Sequence, residues 1–327
     1  MLLPWRLPGA ANIVSHSEPT PGPVEPDRPA LVVGMGRSGT TMFFDCLGAH
    51  PDLGWPSQYL NRVPRVPALA ALSRMADFGN ATRRWVNPSH EPGSSRGALW
   101  PGPSEAVLLW RSWCGDRFVS DFLLGEVPPN DRVREVRRQV DKLLRWQGKS
   151  RFAAKFSGPL RIQYLSALLP GARFLHLIRD PRAVVSSLLK VDFWNDSHRL
   201  REPAWSNGLS ESDLEKWEES GRSPVALAAL QWRAVVELGR KEAEAIAPDR
   251  YAELRYEDLV ASPHEAMRKA LRFFELAPSK RIDDALDHRI VARDMNVKWR
   301  RDRVPAETAL IEDLTGDSMV SLGYRQP

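Results

Sequence analysis

Residues Leu31 to Thr41 read LVVGMGRSGTT, and this run constrains the fold more than any other stretch of the chain. Ala30 to Val33 are small or apolar and predict a short buried strand. Gly34, Gly36 and Gly39 make a glycine-rich turn, and a helix is expected to open at Thr40-Thr41. A strand, a tight turn and a helix N-terminus in that order aim backbone N–H groups at one point, where the helix dipole favours negative charge. Gly34 and Gly39 have the spacing of a GxxxxGK[ST] phosphate loop. Thr40, however, stands where the lysine belongs, and the cation is Arg37 within the loop. The run therefore reads as a cradle for a phosphate-like group, not one built for an ordinary nucleoside triphosphate.

The rest of the chain supplies an α/β frame for that cradle. With 327 residues and 43% hydrophobic content, it can bury a large core as a single domain carrying an insertion. The helix after the loop is expected to run to about Ala49, stopped by His50-Pro51. Residues 53–130 are rich in Pro, Gly and Trp, with helical stretches at Pro67 to Met75 and Glu105 to Trp113, and read as an insertion over the sheet edge. In the arginine-rich run Arg132 to Arg151, Val133, Val136, Val140, Leu143 and Leu144 recur at helical spacing, which predicts an amphipathic helix. Phe152 to Phe156 predicts a strand, Leu160 to Leu169 a helix, and Phe174 to Ile178 the best strand of all. Asp180-Pro181 caps and opens a helix through Leu189. Residues 191–223 read as an irregular lid, followed by a helix from Pro224 to Ile246. Tyr251 to Tyr256 predicts a fourth strand, Pro263 to Phe274 a helix, and the tail to Tyr324 ends in a short helix. Strands alternating with helices predict a parallel sheet covered on both faces, a P-loop-like α/β fold.

Several function classes recede. The net charge of +5 is mild, and the densest basic run is explained by an amphipathic helix, so nucleic-acid binding is not expected. Cys46 and Cys114 are the only cysteines, too few for a disulfide framework or a zinc site, and a reducing, cytoplasmic setting is expected. No apolar run is long enough to span a membrane. Residues 1–28 hold six prolines (Pro4, Pro8, Pro19, Pro21, Pro23 and Pro26) without a continuous hydrophobic segment, and read as a flexible leader, not a signal peptide.

A second chemical segment is RFLHLIRDPRAVVSSLL, Arg173 to Leu189. Arg179 falls at the C-terminal end of a predicted parallel strand, where α/β sheets bind ligands, and Ser187 lies along the next helix. A guanidinium fork and a hydroxyl can meet over one phosphate. The bland alternative pairs Arg179 with Asp180 or Asp192 and leaves Ser187 solvated.

GMGRSGTT, KF followed by Pro159, FLHLIRDPRAVVSSL and LRYEDLVASP together resemble the PAPS-dependent sulfotransferases. RSGTT followed by AHPD is most similar to the tyrosylprotein type and related bacterial enzymes. The resemblance is strong over Leu31 to Asp52 and Ala153 to Leu189, fair over Tyr251 to Leu276 and the tail, and weak between them. It implies that Arg37, Ser38, Gly39, Thr40 and Thr41 grip the 5′-phosphosulfate of 3′-phosphoadenylyl sulfate (PAPS), and that Arg179 and Ser187 hold its 3′-phosphate. It places Tyr256 near the adenine and Lys298-Trp299 over the 3′-phosphate. It makes Lys155 the cation that steadies the transferring group, and it requires no metal.

One part of the family pattern is missing. The tyrosylprotein type carries a glutamate where this chain has Gln58, and the cytosolic type a histidine where it has Ser157. Neither residue accepts a proton well at neutral pH. Glu105 is the first substitute for the base and His90 the second. Trp85, Trp100, Trp110, Trp113, Trp194 and Trp205 fall in the insertion and lid, a density that suits an aromatic, lipid or sugar hydroxyl acceptor, while for any one of them plain core packing is the favoured reading. Two rivals stand beside this expectation: a P-loop kinase or ATPase, and a binding-only relative that has lost turnover.

Overall fold

Side-chain alternation along the first strand divides the molecule into two cores. In β1 (Ala30–Gly34), Leu31 and Val33 enter one buried cluster, while Ala30 and Val32 enter another on the opposite face. The same parity holds in β4 (Arg173–Ile178), with Phe174 and Ile178 on the first face and Leu175 and Leu177 on the second. A strand apolar on both faces must lie inside a covered sheet, and β1 is its centre. The computed structural model describes residues 28–77, 102–191, 194, 205–289, 299 and 305–325.

The sheet has five strands in the order β2-β3-β1-β4-β5, all paired parallel. Here β2 is Leu53–Gly54, β3 is Arg151–Ser157 and β5 is Tyr251–Arg255. Register sets Val32 beside Lys155 and Gly34 beside Ser157. The helix Thr40–Leu47 and the helices Pro263–Phe273 and Lys280–Arg289 cover one face. The other is covered by Asn130–Gln147, Ile162–Leu168, Pro181–Leu188, Pro224–Ala243 and Pro305–Ser321. The expected parallel sheet with helices on both faces is therefore the observed architecture.

Local causes are visible at most ends. The helix Asn130–Gln147 buries Val136, Val140, Leu143 and Gln147, one stripe at helical spacing, and stops at Gly148 in the left-handed conformation. Asp180 caps the next-but-one helix through the amide of Arg182, with Pro181 in its first turn. Cys46 is a buried core residue, as its helical position suggested.

Four sequence expectations change. The stretch 191–223 is not irregular throughout, since Glu211–Glu219 is a helix opened by a capping box of Ser210 and Asp213. The stretch 53–130 does not merely overlie the sheet edge, because Leu53–Gly54 is itself the edge strand. The segment Tyr251 to Tyr256 ends one residue early, and Tyr256 opens the helix Tyr256–Ala261. The terminal helix is not short. It has 17 residues and buries Ile311, Leu314, Thr315, Ser318 and Met319 along one stripe against Pro224–Ala243. The leader 1–27, and most of 78–101 and 192–204, lie outside the described residues. Among the described residues no helix is long and apolar enough to cross a membrane.

Beneath the sheet, Glu242 accepts the amide of Ile162 and so caps the helix Ile162–Leu168, while its Oε1 has no partner. Burial pushes its carboxyl up to about 7, against the pull of the Ile162 and Gln163 amides and the charge of Arg161. A folded pKa above the unfolded one adds stability below the unfolded value, and that gain is lost as pH rises through 7. Glu242→Gln keeps the acceptor and removes the titration. Its melting temperature relative to wild type is expected to rise between pH 5 and pH 8, worth on the order of 1–3 kcal/mol. Parallel thermal melts check this, and a pH-independent difference would contradict it.

Candidate active site

The site assembles at the C-terminal ends of β1, β3 and β4, around the loop from Met35 to Gly39. Gly39 is the N-cap of the helix Thr40–Leu47, and no side chain caps the first amides of that helix. Those amides have no intrahelical acceptor and face the loop's concavity with the positive end of the dipole. The Ser38 hydroxyl is buried and without a hydrogen-bond partner, a donor held for a group outside the protein. These features fit an anionic oxygen-bearing group such as a phosphosulfate.

Gly39 has φ +90, and a Cβ there would stand 2.6 Å from the ring of Tyr256. The glycine is thus needed twice, for its backbone and for the ring pressed against it. On that ring lies the guanidinium of Arg179, 4.2 Å from the centroid. Nη1 of Arg179 donates to the carbonyl of Arg37 at 3.0 Å, and Arg37 itself takes φ 72, a left-handed backbone rare for its type. Nε of Arg37 donates to Oγ of Ser187 at 2.9 Å. One cluster therefore gathers Arg37, Gly39, Arg179, Ser187 and Tyr256 from four separate segments. Ser187 is met by Arg37 directly, where a meeting with Arg179 was expected.

The Asp180 carboxylate is bound by Arg182, which also reaches Glu312. Burial holds the Arg179 guanidinium below its ordinary value, with Tyr256, Glu257 and Asp180 opposing. A cation kept from water at a strand end is stabilised by an incoming anion.

A second cluster flanks the loop on the β3 side. Nζ of Lys155 donates to Thr41 Oγ1 at 3.1 Å, Ser157 Oγ at 3.2 Å and Glu105 Oε2 at 2.8 Å. Glu105 Oε1 accepts the amide of Ser157, and Thr40 Oγ1 lies 3.3 Å from Ser157 Oγ. The Lys155 side chain is 7% exposed and that of Glu105 27%, so the pair sits at the edge of solvent. Glu105 reaches this corner because Ser57 bridges to Pro103 and Ser104 donates to the Pro56 carbonyl. Its segment is thereby fastened beside Gln58.

Other candidates are not brought here. Trp110 is 1% exposed and packs among Trp113, Phe118, Phe152 and Phe156. Trp194 is equally buried and donates to Gln231. Both are core residues rather than lining for an acceptor. Trp299 lies over Arg182, 4.6 Å from ring centroid to guanidinium. Lys298, His90, Trp85, Trp100 and Asp192 lie outside the described residues.

The profile of the Sulfotransferase family matches residues 29–280. A protein-tyrosine sulfotransferase of Drosophila melanogaster is 27% identical over 75% of this chain, and the match spans 38% of that protein. The omega-hydroxy-beta-dihydromenaquinone-9 sulfotransferase Stf3 of Mycobacterium tuberculosis is 25% identical, covering 91% of this chain and 76% of its own length. Among solved structures, the sulfotransferase STF9 of Mycobacterium avium superposes with a TM-score of 0.53 at 18% identity, over 91% of this chain and 77% of that one, which speaks for the fold.

The Tyr256–Gly39 contact yields a direct test. Gly39→Ala is expected to displace the ring and loosen the anion loop. Calorimetric affinity for 3′,5′-adenosine bisphosphate should fall at least about tenfold with the protein still folded. Wild-type affinity in this variant would show that the loop tolerates the displacement.

Proposed function

We propose, from the premise that the chain belongs to the sulfotransferase family, that it moves a sulfuryl group from 3′-phosphoadenylyl sulfate to a hydroxyl of a small-molecule, lipid or glycan acceptor. One observation carries this reading. A guanidinium cluster, Arg37–Arg179–Ser187, stands on the β4 side of the glycine loop, and Lys155, bound to Thr41 and paired with Glu105, stands on the β3 side. A donor with one anionic group at each end of an adenosine fits cations placed on both sides of that loop. The relatives named for a protein tyrosine and for an omega-hydroxyl both act on a hydroxyl, which supports that acceptor chemistry.

In this reading the loop amides, Ser38 and Arg37 hold the 5′ side of the donor. Arg179 and Ser187 hold the 3′-phosphate, with Tyr256 beside the base. Lys298 and Trp299 close that end as the family pattern implies. The reaction is an in-line displacement, comparable with phosphoryl transfer. The acceptor oxygen bonds to sulfur as the bridging S–O bond breaks, and negative charge grows on the departing phosphate oxygen. Lys155 and the hydroxyls of Thr40 and Thr41 are the donors fixed where that charge appears. Glu105 takes the proton of the acceptor hydroxyl. It serves where the family position holds Gln58, since the Ser57–Pro103 bridge brings its carboxylate to the same corner.

The absent lysine in the loop and the family match weigh against a kinase or ATPase. A binding-only relative is the second rival, suggested by Gln58 and Ser157 at the family base positions; the Lys155–Glu105 pair supports the catalytic reading over it. The same reading takes residues 29–327 as the catalytic domain.

Arg179→Ala removes a buried charge-assisted contact worth about 1.5–3 kcal/mol, so affinity for 3′,5′-adenosine bisphosphate should fall roughly 10- to 100-fold in calorimetry. Unchanged affinity would contradict the assigned 3′-phosphate position. Glu105→Gln should lower transfer of radiolabelled sulfate to a panel of phenols, sugars and lipids by roughly 10²–10⁴-fold, with nucleotide affinity within about threefold of wild type. Full activity in that variant would place the base elsewhere.

A further inference from the structure

The turn Ser157–Gly158–Pro159 follows β3 and carries the amide that orients Glu105. Its Gly158 amide donates to the Gly34 carbonyl at 2.9 Å, and two side chains grip it besides, Arg161 from two residues beyond Pro159 and Trp205 from a distant segment. Arg161, almost fully buried, donates from Nη1 to the Pro159 carbonyl at 2.8 Å and from Nε to the Asp121 carbonyl at 2.7 Å. From the other side Trp205 presses its indole on Gly158. A Cβ at that glycine, whose φ is +107, would stand 2.7 Å from Cζ2 and 3.1 Å from Cη2.

Trp205 is itself held in place. Its backbone takes φ 62, a left-handed conformation costly for a bulky residue, and the turn Ser206–Gly208 follows it. Gly208 packs face-on against the ring of Phe122, and Asn207 Oδ1 accepts the Phe122 amide at 3.4 Å. Phe122 adjoins Asp121, whose carbonyl Arg161 binds. The contacts close a circuit from Trp205 through Phe122, Asp121 and Arg161 to Pro159 and back to Gly158. A strained residue maintained by such a circuit has a task that an ordinary packing tryptophan lacks.

We propose that Trp205 is a positioning residue of the transfer centre. By fixing the Ser157–Gly158 turn, it aims the Ser157 amide at Glu105 and the Ser157 hydroxyl at Lys155, and so holds base and cation in register. The proposal rests on the sulfuryl-transfer reading for its catalytic meaning, while its structural content stands on the ligand-free protein alone.

The test pairs Trp205→Ala with Trp205→Phe, which keeps a ring over Gly158. Hydrogen exchange of the ligand-free protein is followed at residues 156–160, with Leu31–Val33 and Phe174–Leu177 as core references. In Trp205→Ala, exchange at Ser157 and Gly158 is expected to rise at least about tenfold while the core references hold. In Trp205→Phe it should stay within about threefold of wild type. With 3′-phosphoadenylyl sulfate and the same acceptor panel, kcat of the alanine variant should fall at least about tenfold, with KM for the donor and calorimetric affinity for 3′,5′-adenosine bisphosphate near wild type. Unchanged exchange at Ser157 and Gly158 in Trp205→Ala overturns the proposal. So does a loss in which kcat is untouched, or one that the phenylalanine does not rescue. A wild-type protein that neither binds the bisphosphate nor transfers sulfate, while the exchange pattern appears as expected, overturns the sulfuryl-transfer reading instead, and with it the catalytic part of this proposal.

Discussion

Gly39, the ring of Tyr256 and the guanidinium of Arg179 form one stack, and the candidate site depends on it. The stack ties the glycine loop after β1 to the end of β4 and to the first turn after β5. The bond from Arg179 to the Arg37 carbonyl then holds a left-handed residue that would otherwise relax. A loop of this kind has little stability of its own. Its shape is maintained because an aromatic ring fills the space a side chain at position 39 would need, and because a buried cation bonds its backbone. Parallel strand order brings the three segments together, since β1, β4 and β5 are neighbours in that order.

The Lys155–Glu105 pair shows how such a site prepares for charge. Both groups are partly withdrawn from water; Lys155 also donates to the Thr41 and Ser157 hydroxyls, and Glu105 accepts the Ser157 amide. A pair at a solvent edge adds little net stability, because attraction is offset by desolvation. Its value is geometric. In the proposed transfer a fixed ammonium would need no reorganisation as negative charge developed beside it, and a carboxylate held by a backbone amide would already be aimed. Stability is supplied elsewhere, by the two apolar layers that sandwich β1 and β4.

Much of the frame was legible because buried parallel strands are written as short apolar runs. Ala30 to Val33 and Phe174 to Ile178 are such runs, and the valine–leucine stripe of the arginine-rich helix is equally plain. Leu53–Gly54 was not legible, since two residues carry no period and become a strand only by pairing with Arg151 and Phe152. The terminal helix was under-read because Gly316 and polar residues at its buried positions, Thr315 and Ser318, blur the stripe. At the site, local motifs announced Arg37, Thr41, Arg179 and Ser187. The residue types at Tyr256 and Glu105 carried no such signal. Tyr256 matters because Gly39 leaves room for it, and Glu105 because an isolated bridge at Ser57–Pro103 carries it to Lys155. Trp110 and Trp194 illustrate the converse, residues whose type suggested a ligand and whose burial makes them core.

The central claim is that distant segments build two anion-binding clusters, one for each end of an adenosine bisphosphate. Calorimetric titration of the wild-type protein with 3′,5′-adenosine bisphosphate and with adenosine 5′-monophosphate tests it most directly, because the two ligands differ only in the 3′-phosphate. The bisphosphate is expected to bind roughly 10- to 100-fold more tightly than the monophosphate. Equal affinities would contradict it.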